Sequence, residues 1–195
     1  MKAALERLKG RFPEQITSTY STPKGDDVAV VKAEAIRDVA RFCKDDPELD
    51  FRLFLSVCVV DRLLLPENEP RYEVVYNLRQ GKAPFKKVCL KAFVTEEHAE
   101  LPSCQPVWRG ADWWERYCFD FYGVKFTGHP NLKRILLYEE FQGHPLRKDY
   151  PLKGRQPLVS ERNFKDIIRG PGAAPPVPDV VDANLRTAMI DSKGK

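Results

Sequence analysis

The tripeptide Gly-His-Pro occurs twice in the stretch GHPNLKRILLYEEFQGHPLRKDYPL, as 128–130 and 143–145. The chain has three histidines, and His129 and His144 lie in these two units. Such a pair could bind a metal ion, exchange protons or hold the backbone in turns. A metal site needs a third and a fourth ligand. Each histidine precedes a proline, which forces extended backbone and excludes a helical His-x-x-x-His pair. His98 is distant, and no cysteine is near. Glu139 and Glu140 are adjacent, so in a strand they would point to opposite faces and serve poorly as an acid–base pair. Ser103, Ser160 and Ser192 lack an elbow motif, and no Gly-rich phosphate loop is present. The five cysteines, Cys43, Cys58, Cys89, Cys104 and Cys118, are far apart and include no Cys-x-x-Cys. They are expected as buried, reduced thiols.

The composition narrows the classes further. A net charge of +4 over 195 residues is mild for a nucleic-acid binder. Its surplus of bases lies between Gly123 and Arg155, around the two Gly-His-Pro units. The apolar run Leu53–Val60 is far shorter than the roughly 20 residues a spanning helix needs. The opening MKAALERLKGRF carries Glu6 and lacks an uninterrupted apolar core, so no secretory signal is expected there.

Several elements must position these residues. Leu5, Leu8 and Phe12 have helical spacing, ended by Pro13. Ile16–Tyr20 and Val28–Val31 read as strands around a Pro-Lys-Gly turn, and residues 33–44 as a helix closed by Asp46-Pro47. Residues 51–61, 71–78 and 86–94 read as three strands, the last two alternating apolar and polar. The predicted fold class is α+β, a two-layer sandwich of helices on a mixed sheet. A helix and an extended arm follow, then a Pro-rich C-terminal tail. The predicted segments are a platform over 1–100, a helix and docking segment over 101–155, and a tail over 156–195. Ser103 can cap a turn before Trp108. Ala111–Tyr122 then reads as a helix, with Gly123 placed for a left-handed end. Trp113, Tyr117 and Phe121 form one stripe on it, expected as core or as interface anchors. Asp112, Arg116 and Asp120 form another, expected as a solvated face of alternating charge. The run HPLRKDYPL sets Arg147, Lys148, Asp149 and Tyr150 between two stiffening prolines. Such a peptide suits docking onto a partner, or covering its own sheet.

ADWWERYCFDFYGVKFTGHPNLKRIL followed by EEFQGHPLRKDYPL resembles the C subunits of proton-pumping NADH:quinone oxidoreductase, respiratory complex I. Trp113, Glu115, Arg116, Asp120, Gly123, Phe126, Gly128, His129, Pro130, Leu132, Arg134, Ile135 and Leu136 match the family pattern, as does all of 143–152. Weaker likeness extends upstream through LPSCQPVW, YEVVYNL and Asp61, so that it covers about 28–155. Tyr117 and Gln142 stand where the family has glutamates, and Glu139-Glu140-Phe141 where it has Asp-Asp-Trp.

The resemblance implies a peripheral-arm subunit that binds no flavin, cluster, metal or quinone itself. FMN, iron–sulfur clusters and quinone would sit in neighbouring chains. It implies docking to the subunits holding the terminal cluster and the quinone pocket, on the cytoplasmic side of the inner (plasma) membrane. Membrane contact would be indirect, and nucleic acid would play no part. The implied contact residues are Trp113, Glu115, Arg116, Asp120, Gly123, His129, Arg134, His144, Arg147, Lys148, Asp149 and Tyr150. Arg116 is expected to bridge Asp112 and Asp120 or a partner carboxylate, and the two histidines to hold turns. The alternatives are the matching subunit of a membrane-bound hydrogenase or related quinone-reducing complex, and a metal-dependent hydrolase using His129 and His144.

Overall fold

The structure is a computed structural model that describes residues 2–65, 69–153 and 156. The predicted tail lies outside the described residues except for Gln156. Residues 1–156 form one compact unit. Its elements run α1 (Lys2–Arg11), β1 (Ile16–Ser21), β2 (Asp27–Val31), a 3-10 turn (Ala33–Ala35), α2 (Ile36–Asp45), β3 (Leu53–Asp61), β4 (Tyr72–Arg79), β5 (Lys87–Val94), β6 (Glu100–Pro102), α3 (Ala111–Tyr122) and β7 (Lys125–Thr127).

Five strands form one mixed sheet in the order β1-β2-β5-β4-β3, with β2 and β5 parallel and the other pairs antiparallel. Alternation decides its buried face. Val74, Tyr76 and Leu78 of β4 and Val88, Leu90 and Ala92 of β5 are fully buried, while Glu73, Asn77, Cys89 and Lys91 between them are only half-buried. Helix α2 adds Ile36, Val39, Ala40 and Cys43 to the same core. It ends where Asp46, extended before Pro47, leaves the helix. Residues 101–155 share that core through Leu101, Val107, Trp108, Cys118, Val124 and Phe126.

Helix α3 packs against edge strand β3, and the Cys118 thiol reaches the Val57 carbonyl at 3.7 Å. The short parallel pair β6–β7 was not predicted; three residues per strand are too few for alternation to register. Glu139 and Glu140 lie in a turn, which corrects their reading as neighbours in a strand. Cys58 is exposed and Cys89 half-buried, so burial of all five thiols is corrected to Cys43, Cys104 and Cys118. Cys58 alternates with the core residues Val57 and Val59 and so faces away from the core.

Candidate functional site

Helix α3 and the irregular segment 128–152 meet along most of the helix. The helix forms because its apolar and small residues recur on one side, and it ends at Gly123, whose φ of 81° is left-handed. A Cβ on Gly123 would also lie 2.7 Å from His144 Nε2. Backbone and packing therefore both demand glycine there.

The two Gly-His-Pro units clamp this helix at two levels. In each the glycine is left-handed, with φ of 77° at Gly128 and 85° at Gly143. His129 Nδ1 accepts from the Asn131 amide at 3.1 Å, which leaves Nε2–H to donate to the Asp112 carbonyl at 3.2 Å. His144 Nδ1 donates to the Asp120 carbonyl at 2.9 Å. Eight helical residues separate those carbonyls, about 12 Å of rise. One metal ion cannot bridge rings anchored so far apart. Among the described residues no group of three or more His, Cys, Asp or Glu side chains is placed to hold one. The reading of His129 and His144 as a shared metal pair is thus corrected. Burial lowers the His144 pKa, and Arg134 and Arg147 nearby push the same way.

Asp120 is fully buried, against its expected place on a solvated face. Its Oδ2 accepts from the amides of Ile135, Leu136 and Leu137 at 3.1, 2.9 and 3.0 Å, and its Oδ1 from Arg134 at 2.8 Å. Burial alone would raise its pKa. The amides and Arg134 outweigh that and hold the carboxyl below its usual range. Arg134 also donates to the carbonyls of Phe141 and Gly143, each at 3.0 Å. Arg116 does not bridge Asp112 and Asp120 as expected. It donates to the carbonyls of Lys133 and Arg134 at 3.1 and 2.9 Å. These guanidinium groups fix the path of a segment that has no ladder of its own.

Glu115 is likewise turned inward, its side chain fully buried in the core. Ser103 Oγ donates to it at 2.5 Å, the Cys104 amide at 2.7 Å and the Tyr76 hydroxyl at 3.1 Å. Ser103 also makes the predicted turn, accepting from the Gln105 amide at 3.1 Å. Burial pushes the Glu115 pKa up to about 7, although all three donors oppose it.

The end of the segment is fastened to the sheet by charge. Arg71, only 3% exposed, forks onto Asp61 through Nε and Nη2 at 3.1 and 3.0 Å. It also donates to Glu96 and Asp149, each at 2.6 Å. Arg147 joins from the other side, donating to Glu96 and, at 3.2 Å, to Asp149. The Lys148 amide donates to Asp61 at 2.8 Å. Tyr150 stacks on Phe141 with ring centres 6.1 Å apart. Arg147, Asp149 and Tyr150 are thus spent largely within the chain, whereas Lys148 points outward. The family pattern marks Asp61 and the run 143–152, which carries Arg147, Lys148 and Asp149. Arg71 and Glu96 carry no signal because their partner lies so far along the chain.

What the site leaves outside is apolar. Trp113 is 70% exposed and Trp114 42%, and Trp114, Tyr117 and Phe121 form a chain of ring contacts along α3. Leu136, Tyr138 and Leu146 add exposed apolar surface from the segment. The expectation that the Trp113 stripe could be core is therefore corrected at Trp113 itself.

A family model described as respiratory-chain NADH dehydrogenase, 30 Kd subunit, matches residues 29–156. The chain belongs to this family. Among members of the 30 kDa family, it is 46% identical over 148 residues to the NADH-quinone oxidoreductase C subunit of Roseiflexus sp. (strain RS-1), covering 76% of this chain and 82% of the relative. It is 35% identical over 165 residues to the corresponding NADH-quinone oxidoreductase C subunit of Hyphomonas neptunium, covering 84% and 78%. The trypsin-resistant fragment of Nqo5 has a similar fold, with a TM-score of 0.58 and 24% identity over 67% of this chain and 98% of that one. So does a chain of the membrane-bound sulfane sulfur reductase, an archaeal respiratory membrane complex, with a TM-score of 0.62 and 23% identity over 78% and 86%. Like its 30 kDa relatives, the chain is a subunit of an oxidoreductase complex. Among the described residues no helix is long and apolar enough to cross a membrane.

Proposed function

We propose that this chain is a docking subunit in the peripheral arm of a proton-translocating NADH:quinone oxidoreductase. It seats against the subunits that hold the terminal iron–sulfur cluster and the quinone pocket, on the cytoplasmic side of the membrane. FMN, clusters and quinone belong to those neighbours, and this chain supplies shape and adhesive surface. The observation that carries the reading is the division of labour on α3. The buried carboxylates Glu115 and Asp120 and the two histidine clamps are consumed inside the chain, while Trp113 and Trp114 face outward. Large exposed aromatics on a rigid helix are preferred interface anchors, because little freedom is lost on docking. Leu136, Tyr138 and Leu146 add exposed apolar surface, and Lys148 is exposed near the end of the segment.

Affinity purification of the tagged chain from gently solubilised membranes tests this. Flavin- and cluster-bearing chains should come with it and oxidise NADH. Recovery of the chain alone would sink the reading. A second reading, the matching subunit of a related membrane complex, draws on the fold shared with the sulfane sulfur reductase chain. Co-purification of a nickel-containing or sulfur-reducing partner in place of a flavin-bearing one would favour it.

A further inference from the structure

Among the described residues two non-glycines have left-handed backbone, Asp50 with φ of 49° and Phe85 with φ of 54°. Both stand at one corner, where the turn after α2 meets the β4–β5 connection. Aspartate tolerates this conformation, but an aromatic residue such as Phe85 holds it only where the surroundings enforce it, and such positions gather at functional surfaces. Here the enforcement is a set of hydrogen bonds between the two turns. The Gly81 amide donates to the Asp50 carbonyl, Gln80 Nε2 to the Leu49 carbonyl and Lys82 Nζ to the Pro47 carbonyl, each at 2.9 Å.

This fixed corner is basic. From Val74 to Thr95 the chain has no acidic residue and five basic ones, Arg79, Lys82, Lys86, Lys87 and Lys91. Lys91 is paired with Glu73 at 2.5 Å. Arg79 and Lys87 are direct cross-strand partners, two like charges in register, an arrangement that costs stability. The carboxylates of the neighbouring turn are already engaged, Asp46 and Glu48 by Arg7 and Asp50 by Arg52. Among the described residues Arg79, Lys86 and Lys87 form no ion pair. Phe85 is 47% exposed, with the Arg79 guanidinium 5.4 Å from its ring centre.

We propose that this corner is a second docking surface, which receives an acidic segment of a neighbouring protein subunit. Its carboxylates would meet Arg79 and Lys87, relieving their repulsion, and an apolar side chain would cover Phe85. One exposed ring is too little apolar area to enter a bilayer, so a protein segment fits better than a lipid surface. The corner lies at the opposite end of β4 from Arg71, about 25 Å along the strand. It is therefore separate from the Arg71–Asp149 cluster that fastens the end of segment 128–152. The inference rests on the chain being seated in a complex.

Zero-length carbodiimide coupling of the intact complex, with mass-spectrometric mapping, is the test. Lys82, Lys86 or Lys87 should be joined to Asp or Glu of another subunit. The double substitution Lys86→Glu, Lys87→Glu should weaken retention of the chain in the complex roughly tenfold. The same variant should melt no lower than the parent chain, because Arg79 then faces a glutamate. Free acetylation of these lysines in the intact complex, with the variant retained at parental level, would overturn the inference. So would binding of the chain through these lysines to phosphatidylglycerol vesicles without protein cross-links. If no subunit co-purifies at all, the docking function proposed above fails first, and this surface falls with it.

Discussion

Arg71 and Asp149 stand 78 residues apart, and their side chains meet at 2.6 Å. The contact joins the residue just before β4 to the end of the segment that wraps α3. Arg71 holds the Asp149 carboxyl well below its usual range, burial opposes this, and Arg147 assists. For Asp61 burial is the largest influence and pushes upward, but Arg71 and two backbone amides overcome it. Both groups therefore favour the folded state most above the ordinary aspartate range near ~4, and lose that contribution as pH falls toward their depressed values.

Arg71→Gln strands the fully buried Asp61 carboxylate, and should cost about 3–5 kcal/mol in urea unfolding near neutral pH. Asp149→Asn leaves the Arg71–Asp61 fork intact and removes only a half-exposed partner, so about 1 kcal/mol is expected. In both variants the Lys148 amide, bonded to Asp61, should exchange its hydrogen faster than in the parent chain. Equal costs for the two substitutions would show that the fork does not dominate the cluster.

Glu115 carries the opposite sign. Its pKa is raised from 4.5 to about 7, so its contribution to stability is full below about 4.5 and is lost as pH rises through 7. The Ser103 and Tyr76 hydroxyls can turn from donor to acceptor when the carboxyl is protonated, whereas the Cys104 amide cannot. Urea midpoints of the parent chain and Glu115→Gln, compared from pH 5 to 8.5, isolate this group. The parent's stability relative to the variant should fall by about 2–3 kcal/mol across that range. A flat difference would mean that Glu115 stays ionised in the core.

The fit of His144 against Gly123 is open to a double-mutant cycle. Gly123→Ala forces a left-handed alanine, at a cost of about 1–2 kcal/mol, and also drives Cβ into the imidazole. In a His144→Ala background the steric part disappears. The cost of Gly123→Ala should then be at least about 1 kcal/mol smaller than in the parent chain. Additive costs would place the ring elsewhere.

Much of this architecture was legible from local pattern. The helix 111–122 was bounded by its periodicity and by a glycine at its end, and the sheet strands by alternation. The side chains of α3 were harder to place. A period of four groups Asp112, Arg116 and Asp120 on one face but does not reveal what covers that face. Residues 131–143 lie over it, so Asp120 became a fully buried carboxylate held by three amides and Arg134, and Arg116 a ligand of backbone carbonyls. Glu115 was misplaced for a similar reason. Its partners come from β4 and from the turn at Ser103 and Cys104, and only the tertiary fold brings them together. The role of the histidines was readable because proline after each one limited the backbone.

The division between internal clamps and an outward aromatic face meets its most direct test in membranes carrying Trp113→Ala with Trp114→Ala. The amount of complex assembled and the NADH:quinone turnover per assembled complex would be measured side by side. Assembly should fall severalfold while turnover per complex stays at the parental value. Parental amounts of complex with slowed turnover would contradict a docking role and assign this face to the chemistry itself.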